Sequence, residues 1–513
     1  LKKSQIHQNG IFAVGFFCIS LMPYIREFAI AHDTHFRDAQ PSMILPNHKV
    51  ILFPLETYVR EIDFRLALAI FLLRPGRQIL LGNHTDIYQL STSVRGTVYV
   101  GKSLHNVSPT RQRECYDQAK QLDTRVIYLH EEGGVFEDDP AQFKLGLFRR
   151  LQPDWLSADD HFCAWGDVQA QTYREAANLA FASHIHVTGH PRFDLCSERF
   201  AALYDREVTE LRTKYGRFVL INTNFSRFSH IDGSGRYFRP PWTPSNDVIK
   251  RHYASDYLAY DTCQFASFIQ LVDRLEAQLP HLNIILRPHP SEETRFFSDI
   301  FKQFERVHVV RGGSLNAWLR ACHTLVHSGC TTGIEGSLCG ARIISYNPQK
   351  NSPFTKRFPN LAGRPASDQQ QVLDLIEDES WCGGIRHLAP EAREELTGLF
   401  ANFKEGHDSF ASLVRVVEDC LEDTPYAKVE ISLRNHVWKG RLQRTKLLLR
   451  SLLPEKLHFK SKTNVHARQK FSGFDLEQVE QKLSLLSGIL GGNVKITRIN
   501  NMILSLTNET VDD

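Results

Sequence analysis

The sequence predicts an α/β protein of two doubly wound, Rossmann-like domains that face each other across a cleft, followed by a mostly helical, basic C-terminal extension. Three observations lead there. Short apolar runs alternate with helix-patterned segments, the rhythm of parallel sheets with crossover helices. The rhythm occurs twice, over 47–200 and 216–385, with a charged helical connection from Ala201 to Tyr215 between the two series. The informative runs end in polar clusters, and ligands of such sheets bind beyond the strand C-termini.

Composition narrows the class further. The 61 Lys+Arg against 58 Asp+Glu leave no global charge that argues for nucleic acid, and 42% hydrophobic with 11% aromatic residues is globular rather than disordered. The ten cysteines, from Cys18 to Cys420, contain no C-x-x-C pair, which fits neither a zinc site nor a disulfide scaffold and suits a reducing, cytoplasmic compartment. Residues 1–46 are an N-terminal extension whose run Ile11 to Tyr24 follows Lys2 and Lys3. It is like the apolar part of a signal peptide, yet short for a bilayer span and without a convincing cleavage site, so a peripheral extension is expected.

In the first domain, ILFPLE after Val50 reads as a buried strand and Tyr58 to Leu73 as an apolar-striped helix. Pro75-Gly76 punctuates them from a second strand, QILLGNH. TVYVGKS at Thr97, a helix from Pro109 to Gln121, the strand RVIYLHEEGG from Arg125, HFCAWG at His161, a helix over Ala170 to Ala182 and HIHVTGHPRFD at His184 complete the series.

The second series opens with RFVLINTNF at Arg217. A loop rich in Gly, Ser, Arg and aromatics follows from Ser226 to Thr243, then a helix over Cys263 to Gln278. The strand Ile284 to Leu286 stops at Arg287-Pro288-His289-Pro290, because the prolines forbid continued pairing and immediate helix. Helix over Thr294 to Phe304, strand over Val307 to Val310 and helix over Ser314 to Cys322 lead to LVHSGCTTGIEG, where a strand meets a helix start. From Ala389 the chain over 386–513 turns helical. Its stretch from Arg434 to Lys470 carries eleven cations against Glu455 and interleaved leucines, a segment suited to an anionic membrane surface or to packing on the domains. Asp475 to Leu490 and VKITRI read as one more helix and strand.

The chemistry-bearing residues sit at the strand ends. His289 is held between prolines, where it can bind a donor phosphate or protonate a leaving group. Arg287 joins it as a donor-binding residue. Ser328, Thr331 and Thr332 bring hydroxyls to a helix N-terminus, Gly329 and Gly333 let backbone approach an anion, and Glu335, on the same helix face as Thr331, is placed to take ribose hydroxyls. Asn222 and Asn224 close the strand before the aromatic loop, with Arg227, Asp232 and Arg236 beyond them. The simpler role of Asn222 and Asn224 is to satisfy loop backbone, and a nucleotide or sugar contact is the other; Asp232, by its loop position alone, is a candidate nucleophile for a retaining course. Glu56 stands on the acceptor side. Glu131 and Glu132 are a carboxylate pair, one of which is expected to serve as base for an acceptor hydroxyl with its pKa raised by burial or by its neighbour. No D-x-D, H-E-x-x-H or P-loop motif occurs, so no metal site and no cofactor beyond a nucleotide-sugar co-substrate is expected.

With EEGG, TGHPRFD, INTNF, RPHP and HSGCTTGIEG in this order over Lys49 to Pro348, the chain resembles the GT-B glycosyltransferases known as surface carbohydrate biosynthesis proteins. More remotely, Glu131, His289, Thr331 and Thr332 are similar to the acid-acid-Gly, His-Pro and Ser/Thr motifs of bacterial sialyltransferases and Kdo transferases. The resemblance implies transfer from a CMP-linked ulosonic acid to a glycan or glycolipid acceptor, and a cytoplasmic location, with contact to the inner face of the membrane through the basic segment 434–470, is expected beside it. TGHPRFD and RPHP also resemble CDP-glycerol glycerophosphotransferases, and UDP-sugar 2-epimerases share the fold. A non-catalytic polysaccharide-assembly or membrane-binding protein is the alternative from another class.

Overall fold

Val50 to Leu55 is a continuous run buried on both faces, the pattern a central parallel strand needs. In the computed structural model it forms β1 (Lys49–Leu55), joined by β2 (Arg77–Asn83), β3 (Thr97–Gly101), β4 (Arg125–Leu129), β5 (His161–Ala164) and β6 (Ile185–Val187). These pair in parallel in the order β2-β1-β3-β4-β5-β6. The description covers residues 43–104, 114–133, 135, 140–177, 179–240, 242–244, 246–349, 351–430 and 470–508. The chain divides into two compact units, Leu1–Leu45 and Pro46–Asp513, and every element here belongs to the second. The apolar run Ile11 to Tyr24 lies outside the described residues, as do the residues of the basic segment before Lys470.

The second sheet is β7 (Phe218–Asn222), β8 (Asn283–Arg287), β9 (Val307–Val309), β10 (Thr324–His327), β11 (Ile343–Tyr346) and β12 (Arg364–Ala366), all parallel in the order β9-β8-β7-β10-β11-β12. That is the doubly wound order 3-2-1-4-5-6, whose switch point falls between β7 and β10. In the first sheet the order reverses between β1 and β3. Two Rossmann-like domains, the GT-B class of architecture, are therefore present.

Helix α1 (Tyr58–Leu72) is buried nearly all round, from Glu61 to Ile70, because the first sheet and later helices enclose it. Helix α2 (Val248–Gln278) begins 15 residues before the Cys263 start expected from sequence. Asp247 caps it by accepting the Lys250 N–H, and Ala254, Tyr257, Phe265, Phe268, Leu271 and Leu275 form its buried stripe. The stripe is interrupted by Asp261, whose carboxylate accepts the Arg227 N–H at 2.9 Å, and that polar interruption hides the first half of the helix. The expected helix over Ala170 to Ala182 is two, Asp167–Ala176 and Leu179–Ala182, and the described part of the Pro109 to Gln121 helix is Glu114–Gln121.

The distal part of the chain returns to the first domain. Helix α4 (Leu476–Leu490), numbered after α3 (Thr332–Leu338) of the second domain, packs on α1. The segment read as a single strand VKITRI is a hairpin of β13 (Val494–Asn500) and β14 (Ile503–Asn508). β14 pairs antiparallel with β2, Ile503 opposite Gly82 and Leu506 opposite Ile79, so it covers an edge that would otherwise be exposed.

Candidate active site

Glu292 organises the second domain's side of the cleft. Fully buried, its carboxylate accepts the backbone N–H of Phe225 (2.8 Å) and His289 (2.6 Å), the Ser229 hydroxyl (2.8 Å) and the Thr223 hydroxyl. Burial raises its pKa, and the four donors offset part of that cost. Replacing it with alanine strands those donors, and a loss of about 3 kcal/mol of stability is the expected result of a urea titration.

That bracing fixes His289. Its Nδ1 accepts the Ser291 N–H at 3.2 Å and lies 2.7 Å from the Ser291 hydroxyl, which leaves the ring proton on Nε2. Burial first, then Arg60, pushes its pKa down to about 3, so the ring is neutral at pH 7 and acts as a hydrogen-bond donor through Nε2. Glu132, from the other domain, lies within electrostatic reach of it.

The LVHSGCTTGIEG segment serves packing as much as ligand. Helix α3 has seven residues and no side-chain cap from Thr331. The N–H of Gly329 is taken by Asn360 Oδ1 at 2.7 Å, its carbonyl accepts Asn224 Nδ2 at 3.4 Å, and the Ser328 hydroxyl accepts Gln264 at 3.4 Å. A Cβ on Gly333 would stand 2.4 Å from His327 Nε2 and 2.8 Å from the Pro359 carbonyl. The two glycines expected to open backbone to an anion are thus spent on contacts within the domain. Gly333→Ala is expected to destabilise the protein by about 1–3 kcal/mol, read by thermal unfolding. The Thr332 hydroxyl and Asn222 Oδ1, both buried, have no hydrogen-bond partner among the described residues.

Arg287 is not an open ligand either. Its guanidinium donates to the carbonyls of Gly312 (3.0 Å) and Gly313 (3.2 Å) and lies over the Trp318 ring. Asn224 knits the loop to Gly329, and Asp232 pairs with Arg236 while its N–H donates to His230.

On the first domain, a Cβ at Gly133 would meet the Trp165 ring at 2.6 Å, so Gly133 lets the chain carrying both glutamates turn tightly over that ring. The two carboxylates then diverge. Glu131, 12% exposed, lies 3.5 Å from His190 Nε2, 3.5 Å from Arg192 and 3.9 Å from Arg65. Burial alone would raise its pKa, but His190, Arg192 and Arg65 outweigh it and hold it at about 2. Glu132, half exposed, pairs with Arg150, with Arg60 close by; these cations hold it below the ordinary carboxylate range despite desolvation. The expected raised pKa is therefore reversed for both, because arginines distant in sequence converge on the pair.

Glu335 does not face an open ribose site. Its carboxylate, expected to bind ribose, faces Arg192 Nε at 3.2 Å, and both side chains are nearly fully buried. The row Glu131–Arg192–Glu335 ties the first domain to the helix after the second domain's switch point.

Six cations that the sequence does not mark as site residues stand close to these groups: Arg60, Lys102, Arg150, Arg192, Lys356 and Lys470. Arg60 donates to the Glu131 carbonyl at 3.0 Å, and Lys356 and Lys470 lie within electrostatic reach of His289. Lys102 follows β3 directly, so the strand-end rule that selected His289 also points to it. Arg192 lay inside TGHPRFD without a role.

Among the described residues no helix is long and apolar enough to cross a membrane. No family model matches the chain, and no curated protein does. Solved structures similar to it include the wall teichoic acid polymerase TagF, at 13% identity over 80% of this chain and 98% of that one with a TM-score of 0.43. The UDP-GlcNAc 2-epimerase of Methanocaldococcus jannaschii in complex with UDP-GlcNAc and UDP is 11% identical over 72% of this chain and 99% of that one, TM-score 0.44. The UDP-GlcNAc 2-epimerase of Neisseria meningitidis bound to UDP-GlcNAc is 11% identical over 72% of this chain and 100% of its own, TM-score 0.40.

Proposed function

We propose that this chain is a metal-independent GT-B glycosyltransferase of surface polysaccharide or glycolipid assembly, taking a nucleotide sugar in the second domain and a glycan or glycolipid acceptor in the first. What supports this reading most is that a neutral His289, its ring proton on Nε2, and the half-exposed carboxylate of Glu132 lie within electrostatic reach of each other from the two domains. Arg60 lies within electrostatic reach of both.

In this scheme the acceptor oxygen attacks the anomeric carbon while Glu132 takes its proton, and the bond from that carbon to the donor phosphate breaks. The electron pair leaves with the nucleotide, whose phosphate is stabilised by the His289 Nε2–H, Lys356 and the Thr332 hydroxyl. Ser328 and Thr331 stand at the same strand end, and Asn222 offers its unpartnered oxygen to the nucleoside. Glu131 acts as a positioning residue, since its cations hold it charged and in place.

The motif order favours a CMP-linked ulosonic acid of the Kdo or sialic acid type as donor. Glycerol phosphate transfer from CDP-glycerol and UDP-sugar 2-epimerisation are the alternatives on the same scaffold. A thermal-shift screen with CMP, CDP and UDP decides among them, because a nucleotide at about 100 times its Kd adds about 2.7 kcal/mol of stability. CMP is expected to give the largest shift. If no nucleotide shifts the transition, the reading fails in favour of a non-catalytic assembly protein.

A further inference from the structure

The switch point of the first sheet holds charges that the proposed chemistry does not use. Glu56 follows β1 and Lys102 follows β3, the two strands between which the order reverses. Their side chains form an ion pair there. Lys470, contributed by the distal part of the chain, reaches the other oxygen of the same Glu56 carboxylate at 2.7 Å. Glu56 is itself anchored, since its N–H and that of Thr57 donate to Glu61 at 2.9 and 2.8 Å.

Two ammonium groups thus share one carboxylate, each side chain only about a quarter exposed (28% for Lys102, 26% for Lys470). Neighbouring acids offset this excess only in part, because each already faces a cation or donor of its own. Glu132 is matched by Arg150, and Glu131 and Glu335 by Arg192 with Arg65. Glu61 has both carboxylate oxygens taken by the N–H groups of Glu56 and Thr57, and burial, then Glu131, push its pKa up. Arg60, held on the Glu131 carbonyl, adds a further cation within reach of Lys470. Burial and then Lys470 push Lys102 down to about 8. A second anion between the two ammonium groups would relieve that repulsion, and the position is the one where doubly wound sheets take ligands.

We propose that Glu56, Lys102 and Lys470 form a subsite for an anionic group, phosphate or carboxylate, carried by the acceptor. Lys470 also lies within electrostatic reach of His289 and Glu132, so the anion would sit beside the reacting hydroxyl and help to orient it. This rests on the transferase reading for the word acceptor, but not for the binding of the anion.

Calorimetric titration of inorganic phosphate, and separately of acetate, into protein saturated with the nucleotide that stabilises it most tests the proposal. One of the two anions is expected to bind alongside the nucleotide, phosphate binding more tightly if the acceptor group is a phosphate and acetate if it is a carboxylate. Lys102→Met and Lys470→Met should each weaken that binding by about tenfold, the loss of one charge-assisted contact, with Lys470→Arg restoring it. The two methionine variants alter different segments, so a folding defect in one leaves the other to decide. The proposal is overturned if neither anion binds the loaded protein, or if a folded methionine variant binds the anion as well as the wild type. Should no nucleotide bind at all, the transferase reading fails by itself, and the same titrations on the free protein still decide the subsite.

Discussion

Arg192→Met is expected to lower the unfolding free energy by about 3–5 kcal/mol, the largest stability loss of any single substitution at the cleft. The guanidinium is 4% exposed and stands between the carboxylates of Glu131 and Glu335, 12% and 6% exposed. Methionine preserves much of the packing against Trp165 and Phe193 but leaves two buried carboxylates short of a cation. The pH dependence separates this cause from lost packing. Glu131 is lowered from 4.5 to about 2 in the folded state, so its stabilisation is present above the unfolded value and is lost as pH falls through about 2. The difference between wild type and Arg192→Met in urea unfolding should therefore be full at pH 7 and shrink between about pH 4.5 and pH 2. A difference that stays constant across that window would assign the effect to packing.

Glu132→Gln is expected to reduce kcat for sugar transfer by about 10²–10⁴-fold while leaving nucleotide affinity intact, as removal of a general base does. The glutamine keeps the shape and a hydrogen bond toward Arg150 but cannot accept a proton. Glu131→Gln provides the contrast. Because Glu131 is committed to His190, Arg192 and Arg65, its loss should show in stability before it shows in kcat. Steady-state rates with the donor identified by the nucleotide screen, measured beside denaturation curves of both variants, distinguish the two roles. Equal kinetic losses would mean that the carboxylates act as one unit.

The strands were readable because a parallel strand covered on both faces must be a continuous apolar run, and Ile51 to Leu55, Phe218 to Ile221 and Leu325-Val326 are such runs. The polar ends of those runs located the cleft for the same reason. What stayed hidden depends on long-range pairing. Gly82 meets Ile503 across the length of the chain, and nothing near QILLGNH announces that the sheet continues there. Whether Glu131 or Glu132 faces the cleft is decided by Arg65, Arg150 and Arg192, which reach the pair from separate helices and loops. The glycines of HSGCTTGIEG look alike in sequence for an anion loop and for tight packing, and only the His327 ring beneath Gly333 separates the two. Lys470 sits at the end of a basic run that composition assigns to a surface, yet its ammonium enters the cleft.

If the His289 strand end and the Glu132 strand end form one nucleotide-sugar site, both must face the same ligand. Isothermal titration of CMP, CDP and UDP into the wild type, His289→Ala and Glu132→Gln tests it most directly. One nucleotide is expected to bind the wild type, His289→Ala to weaken it by about 1.5–3 kcal/mol through loss of a hydrogen bond to a charged phosphate, and Glu132→Gln to leave it unchanged or slightly tighter. Binding to none of the three nucleotides, or equal affinity in His289→Ala, would contradict it.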